Sequence, residues 1–429
     1  MSDAIPGYDR PAVEAWLAKN CPELSGPFDW VRLPGGHSNL TWRLTDSRGR
    51  QAVIRRPPLG ELLPNAHDMG REFRVLSALK DTPVPTPRPL AFCEDPSVTG
   101  AHFYVMDFLD GHPLYTVQDV KDWAPEAKRR DLAFAFIDAL AQLHALEPVA
   151  VGLGDLGKPE GYVERQINAW GRSWAASVGP AGFDDPRAHE VEAFLRARLP
   201  GQVPARIVHG DFGIHNILVG RGGGLLAVID WEIATLGDPL ADLAYALNPW
   251  PDPSDPEPPA ETSPYAQPGF PTRTELAARY AAATGADLSG LNYYVAFNRW
   301  KSACIVHGVY ARYMEGKKST EGVDTEGLRL SVLRSLELAA RAAAAESPPR
   351  REPPARHPVE LLLLALRRSR LRRSTALQQT PLFVSEALDW VCLPGRPPGA
   401  PTPGGQSVEG PRSPEPFGLG RSRVATDVS

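Results

Sequence analysis

Asp211, Asn216 and Asp230 are the residues whose types and order could do chemistry. They fall in His209-Gly210-Asp211-Phe212-Gly213-Ile214-His215-Asn216 and in Ile229-Asp230-Trp231. Phosphoryl transfer asks a protein for little covalent chemistry and much placement of charge. It needs a carboxylate near the attacking hydroxyl, and oxygen ligands for the Mg2+ that bridges the phosphates of ATP. An Asp, an Asn five residues later and a second Asp at the end of a hairpin supply that set. His209 would brace the loop through backbone hydrogen bonds rather than move protons, and His215 reads as a solvated loop histidine. Two other readings stay open. One is a metal-dependent hydrolase with His209, Asp211, His215 and Asp230 as ligands, which leaves Asn216 without work. The other is a module that binds ATP without turnover, although every position for turnover is filled.

These residues need elements to hold them. A short helix begins after Asp9, with Pro11 in its first turn and Val13, Trp16 and Leu17 on one face. Strand patterns follow at Trp30–Leu33, Leu40–Thr45 and Ala52–Arg55, then a helix over Arg71–Lys80 and strands at Arg88–Cys93 and His102–Phe108. This is a compact α+β lobe, residues 1–108. Helical periodicity then dominates: Asp131–Leu146, Tyr162–Trp174, Arg187–Arg198, Arg273–Thr284, Leu291–Tyr313 and Gly327–Ala345. Among these lie a strand at Arg206–Val208 and a hairpin of Ile217–Val219 with Leu225–Ile229, which carry the reactive loop. The Pro-, Asp- and Ser-rich stretch 248–271 reads as a surface loop. Residues 109–346 form this second lobe. From 347 to 429 the composition shifts to Pro, Arg, Gly and Ser, and a disordered tail is expected.

His-Gly-Asp, then Asn216, then Asp230 at a strand end are similar to the signature of the aminoglycoside and choline phosphotransferases, relatives of protein kinases. The resemblance implies a protein-kinase-like two-lobed fold, with a small β-rich N-lobe over ATP and a larger helical C-lobe. It implies Asp211 as base, Asn216 and Asp230 as Mg2+ ligands, and Asp242 as the acid that steadies the loop. In the kinase pattern a third-strand lysine reaches the phosphates and pairs with a helix glutamate. Here Ala52-Val53-Ile54-Arg55 occupies that strand, and alternation places Val53 and Arg55 on one face and Ile54 and Arg56 on the other. Arg55 becomes the phosphate-facing residue and Glu72 its partner. Gly35, Gly36 and Ser38, between two strands, could bring backbone N–H groups to phosphates. The backbone around Met106 and Phe108 would face adenine.

A narrower resemblance spans residues 25–345. Gly36-His37-Ser38-Asn39-Leu40-Thr41, Arg55-Arg56-Pro57-Pro58, Arg71-Glu72-Phe73 and Asp230-Trp231-Glu232-Ile233-Ala234-Thr235-Leu236-Gly237-Asp238-Pro239 carry it. They are similar to the phosphotransferase domain found alone in bacteria and fused to acyl-CoA dehydrogenases in larger eukaryotic enzymes. The acceptor so implied is a hydroxylated acyl-CoA, with a functional link to acyl-CoA dehydrogenase. Candidates for the acceptor pocket are Arg165, Trp170, Trp174, Trp231, Tyr293, Trp300 and His307. With Tyr294, Arg299 and Lys301 they make a basic and aromatic mixture, which suits a nucleotide-bearing anion better than a polycationic amino sugar.

Composition narrows the classes. A net charge of -5 argues against nucleic acid or an anionic membrane as partner. The four cysteines have no CxxC or metal spacing and read as reduced thiols. Met1-Ser2-Asp3-Ala4 opens no signal-peptide pattern, and no long apolar run is present, so a cytoplasmic protein is expected.

Overall fold

The computed structural model describes residues 5–33, 39–59, 68–317, 320 and 322–346. The tail at 347–429 and the loop residues Gly35, Gly36 and Ser38 lie outside them.

Asp9 caps helix α1 (Arg10–Asn20) by accepting from the Ala12 amide. Strands β1 (Asp29–Arg32), β2 (Leu40–Thr45), β3 (Gln51–Arg56), β4 (Pro89–Cys93) and β5 (Phe103–Asp107) form one antiparallel sheet in the order β1-β2-β3-β5-β4. Alternation sorts its faces. Ile54, Phe103 and Val105 pack with Val13 and Leu17 of α1. Val53, Tyr104 and Met106 join Val75 and Leu76 of α2 (Met69–Leu79) on the other side. The expected split follows: the Arg56 guanidinium donates to the carbonyl oxygens of Gly7 and Thr99, beside α1, while Arg55 faces away from it.

The second lobe is mainly helical. It contains β6 (Gly111–His112), α3 (Val117–Trp123), α4 (Glu126–Ala145), α5 (Tyr162–Ala181), α6 (Pro186–Ala197) and β7 (Arg206–Val208). There follow β8 (Ile217–Gly220), β9 (Leu225–Val228), β10 (Thr235–Gly237), α7 (Pro239–Leu247), α8 (Arg273–Thr284), α9 (Leu291–Met314) and α10 (Thr325–Ala345). No helix among the described residues is long and apolar enough to cross a membrane. One core runs from α2 through α4 to the loop of residues 209–216, called the catalytic loop below, and a second joins α5, α6, α9 and α10.

Helices α3 and α7 were not among the expected elements, and three further features depart from the sequence expectation. The strands β6 and β10 are too short for a period of two to register. Helix α5 runs beyond Trp174, since Ser177 and Ala181 continue its buried face and only Gly182, left-handed at φ 71°, closes it. The stretch 248–271 is not simply a surface loop. Trp250, Tyr265 and Phe270 cluster edge to face, with Trp250 5.9 Å from Phe136, so its aromatics anchor it to the core.

Phe136 of α4 is fully buried and its ring centroid lies 4.7 Å from that of Phe212 in the catalytic loop. Phe136→Ala should therefore cost about 3–5 kcal/mol of stability by chemical denaturation. A loss below about 1 kcal/mol, the cost of one missing methylene, would mean that the loop does not depend on this contact.

Candidate active site

The catalytic loop leaves β7 and turns at Gly210, whose φ of 87° favours glycine and where a Cβ would press on Ile233 at 3.1 Å. Asp242, in the first turn of α7, fastens this turn from below. Its carboxylate accepts from the amides of His209 at 2.7 Å and Gly210 at 2.9 Å. His144 Nε2 lies 3.3 Å from the same carboxylate, and Tyr280 Oη holds the other ring nitrogen of His144 at 2.7 Å. Burial pushes the Asp242 carboxyl up, but His144, His209 and the backbone bonds outweigh it and hold it below the usual range. A carboxylate is the right clamp here, because a charge accepting two amides makes stronger bonds than a neutral oxygen.

His209 braces the loop as expected. Asp211 N donates to its Nδ1 at 3.3 Å, and its Nε2 lies 3.0 Å from the Ile229 carbonyl oxygen. Both ring nitrogens are thus engaged within the loop, so His209 has none left for a metal. The hydrolase reading loses a ligand by this geometry.

Asp211 is buried and its carboxylate is surrounded by donors. Asn216 Nδ2 donates to its Oδ2 at 2.9 Å, the Tyr245 hydroxyl donates to Oδ1, and His215 Nε2 lies 3.3 Å from Oδ1. Burial raises its pKa, yet the charge of His215 and the hydrogen bonds of His215 and Tyr245 pull it below the ordinary range. The His215 imidazole, pushed down by burial, is carried up by Asp211. His215 is therefore an ion-pair partner of Asp211 and not the solvated loop residue that its sequence position suggests. The Asn216 amide nitrogen is used on Asp211, which leaves its carbonyl oxygen as the remaining polar atom of the side chain.

Asp230 follows β9 and returns to the same place. The Ile229 amide donates to the Asn216 carbonyl oxygen at 2.9 Å, joining the two segments. Asp230 has φ 66°, the one positive φ outside glycine among the described residues. A left-handed Asp is strained by about 1–3 kcal/mol, and such strain tends to sit where a side chain must be aimed. Arg55 of β3 crosses from the first lobe to meet it, with Nη2 2.9 Å from Asp230 Oδ1 and Nε 3.4 Å from Glu72 Oε2. The Arg55 and Glu72 side chains are 11% and 1% exposed, so this is a buried pair and not a surface salt bridge. Burial drives the carboxyl pKa of Asp230 up against the opposing charge of Arg55, with Glu232 and Asp211 adding to the rise.

This donor set fits Mg2+. Glu72, Asp230 and Glu232 gather about the single guanidinium of Arg55, while Asp211 is paired with His215. Among the described residues no three His, Cys, Asp or Glu side chains converge as a complete cage. A hard cation that keeps waters and takes one or two protein oxygens plus phosphate oxygens calls for such a half-built site.

Met106 pairs with Val53 at the end of β5, and Phe108 follows with the Arg43 guanidinium 5.4 Å from its ring centroid. Both stand where the sheet meets the second lobe. That junction is tied by Arg71, which donates to the Ala234 and Leu156 carbonyl oxygens, by Val228 N to Pro85 O at 2.8 Å, and by Asn39 Nδ2 to Glu232 Oε2 at 3.3 Å. Of the acceptor candidates, several are framework. Trp231 is fully buried and donates to the Val228 carbonyl oxygen; Trp300 donates to Ala188 O, Tyr293 to Leu195 O and Trp174 to Asp184. His307 stacks on Trp174, and Arg165 is exposed, bonded to Lys158 O. Sequence reasoning missed Tyr245, one helical turn past Asp242, and His144, whose only local signal is its place on the buried face of α4.

Residues 29–291 match the profile described as the phosphotransferase enzyme family. Acyl-CoA dehydrogenase family member 11 of Gallus gallus is 36% identical over 326 residues, covering 73% of this chain and 41% of that protein. Its Homo sapiens counterpart is 32% identical over 335 residues, covering 75% and 42%. Acyl-CoA dehydrogenase family member 10 of Mus musculus is 33% identical over 309 residues, covering 69% and 28%. The chain thus spans less than half the length of these curated relatives. A solved structure of a proposed aminoglycoside phosphotransferase from Ralstonia eutropha superposes with a TM-score of 0.66 at 28% identity, over 80% of this chain and 100% of that one.

Proposed function

The chain belongs to the phosphotransferase enzyme family, and we propose that it moves the γ-phosphoryl group of ATP to a hydroxyl of a small molecule, a hydroxyacyl-CoA. The observation that carries this reading is one buried site in which Asn216 donates to Asp211 and Arg55 joins Asp230 to Glu72. The acceptor hydroxyl lies against Asp211. Its oxygen attacks the γ-phosphorus, the bond to the β–γ bridging oxygen breaks, ADP leaves, and the hydroxyl proton passes to the Asp211 carboxylate. A loose transition state asks for a base only late, so a carboxylate held ionised suffices to orient the hydroxyl and take its proton. Asn216 and Asp230 would hold Mg2+, which would supply positive charge against the phosphates. His209 and Asp242 position the loop.

Residues 1–108 form the lobe over the nucleotide and 109–346 the lobe with the loop and the acceptor site. Arg55, oriented by Glu72, turns its guanidinium to the phosphates, where bidentate geometry replaces the point charge of a lysine. The backbone at Met106 and Phe108 meets adenine, while the phosphate role of Gly35, Gly36 and Ser38, outside the described residues, rests on the resemblance alone. What supports an acyl acceptor is that the curated relatives carry the name acyl-CoA dehydrogenase family members. A functional link between this chain and such a dehydrogenase belongs to the same proposal.

A panel of hydroxyacyl-CoAs, aminoglycosides and choline, each given ATP and Mg2+, tests the acceptor through mass gain of one phosphate. The hydroxyacyl-CoAs should react fastest. Phosphorylation of an aminoglycoside well above any hydroxyacyl-CoA would overturn the acyl acceptor and leave the phosphotransferase standing.

A further inference from the structure

Helices α7 and α9 run side by side, and their hydrogen bonds fix the register between them. Tyr294 Oη donates to Asp238 at 2.6 Å, and Asn298 Nδ2 donates to the Ala241 carbonyl oxygen at 2.8 Å. Positions 294, 298 and 301 lie on one stripe of α9, while 238, 241 and 245 lie on one stripe of α7. The next step of the register sets Lys301 toward Tyr245, whose hydroxyl donates to Asp211. Lys301 is thus near enough to Asp211 to feel its charge.

Its ammonium makes no hydrogen bond and no ion pair with any described residue. Among the described residues it stands over the Trp170 ring of α5, 6.0 Å from Nζ to the centroid. The carboxylates whose charge it feels are Asp211 and Asp242, against a burial that pushes its pKa down. A cation–π contact of about 0.5–2 kcal/mol does not use the three N–H donors of a half-buried ammonium, which are left for water or a ligand. Both carboxylates are already committed, Asp242 to the loop amides and Asp211 to Asn216, Tyr245 and His215. An oxygen brought by the substrate would complete the ammonium's bonding.

We propose that Lys301, over Trp170, binds an acyl oxygen of the acceptor beside the hydroxyl that is phosphorylated. This rests on the phosphotransferase reading of the Asp211 site. A thioester carbonyl or a free carboxylate offers the same oxygen chemistry, and a polycationic acceptor is repelled.

Steady-state kinetics with ATP and Mg2+ on the parent, Lys301→Met and Lys301→Arg test it, with a hydroxyacyl-CoA and the matching free hydroxy acid as acceptors. Lys301→Met keeps the aliphatic stem and should raise the acceptor KM roughly tenfold to a hundredfold, as for a lost hydrogen bond to a charged group. The KM for ATP should stay where it is, and Lys301→Arg should recover part of the loss. A larger effect on the CoA thioester identifies the carbonyl as the oxygen held; a larger effect on the free acid identifies the carboxylate. An acceptor KM in Lys301→Met equal to the parent's, or one that moves together with the KM for ATP, would overturn the proposal while the acyl acceptor stands. A parent that phosphorylates neither compound would take down both.

Discussion

Asp211→Asn should lower turnover by on the order of 10²–10⁴ while the affinity for ATP stays nearly intact. The substitution keeps volume and removes both the negative charge and the ability to take a proton. Asn216, Tyr245 and His215 all address a carboxylate at this position. An amide would turn a donor toward some of them, and the acceptor hydroxyl would lose its orienting anion. Nucleotide affinity should survive because the first-lobe groups and the metal ligands are untouched. The variant should also fold, since the loop's anchor is Asp242, which holds the His209 and Gly210 amides without help from Asp211. Near-normal turnover would remove Asp211 from the role of base.

Asp230→Ala should abolish Mg2+-dependent binding of ATP, read by calorimetry with and without the metal. It removes the charged oxygen proposed to bind a hard cation. Two side effects need a control. Alanine at φ 66° is strained by roughly 1–2 kcal/mol, and Arg55 loses one of its two carboxylate partners. Asp230→Asn tolerates the left-handed backbone and removes only the charge, so it should fold normally and bind the metal–nucleotide complex weakly. Unchanged binding of ATP with Mg2+ in the alanine variant would show that Asp230 is not the ligand.

The parts of the site that the sequence made legible are local. The interval from Asp211 to Asn216 places both in one turn, and the hairpin of β8 and β9 returns Asp230 to them. Strand alternation was enough to place Arg55 opposite Arg56, and the resemblance to the kinase pattern paired it with Glu72. What could not be read lies in tertiary packing. Tyr245 reaches Asp211 and Tyr265 reaches the Ile214 amide only because α7 and the 248–271 stretch fold against the loop. The aromatics nominated for the acceptor carry the same ambiguity. A tryptophan buried for packing and one lining a pocket have the same sequence pattern, and Trp231, Trp174 and Trp300 belong to the framework. Lys301 differs in kind, because an ammonium with no hydrogen bond or ion pair among the described residues is a finding that no periodicity reveals.

Phosphoryl transfer itself is tested most directly by a single-turnover reaction with ATP labelled in its γ-phosphate, Mg2+ and a hydroxyacyl-CoA. Label should leave ATP and appear on the acyl hydroxyl in step with ADP formation, and Asp211→Asn should slow both together. Release of label only as inorganic phosphate, or no consumption of ATP by the folded protein in the presence of any acceptor in the panel, would contradict it.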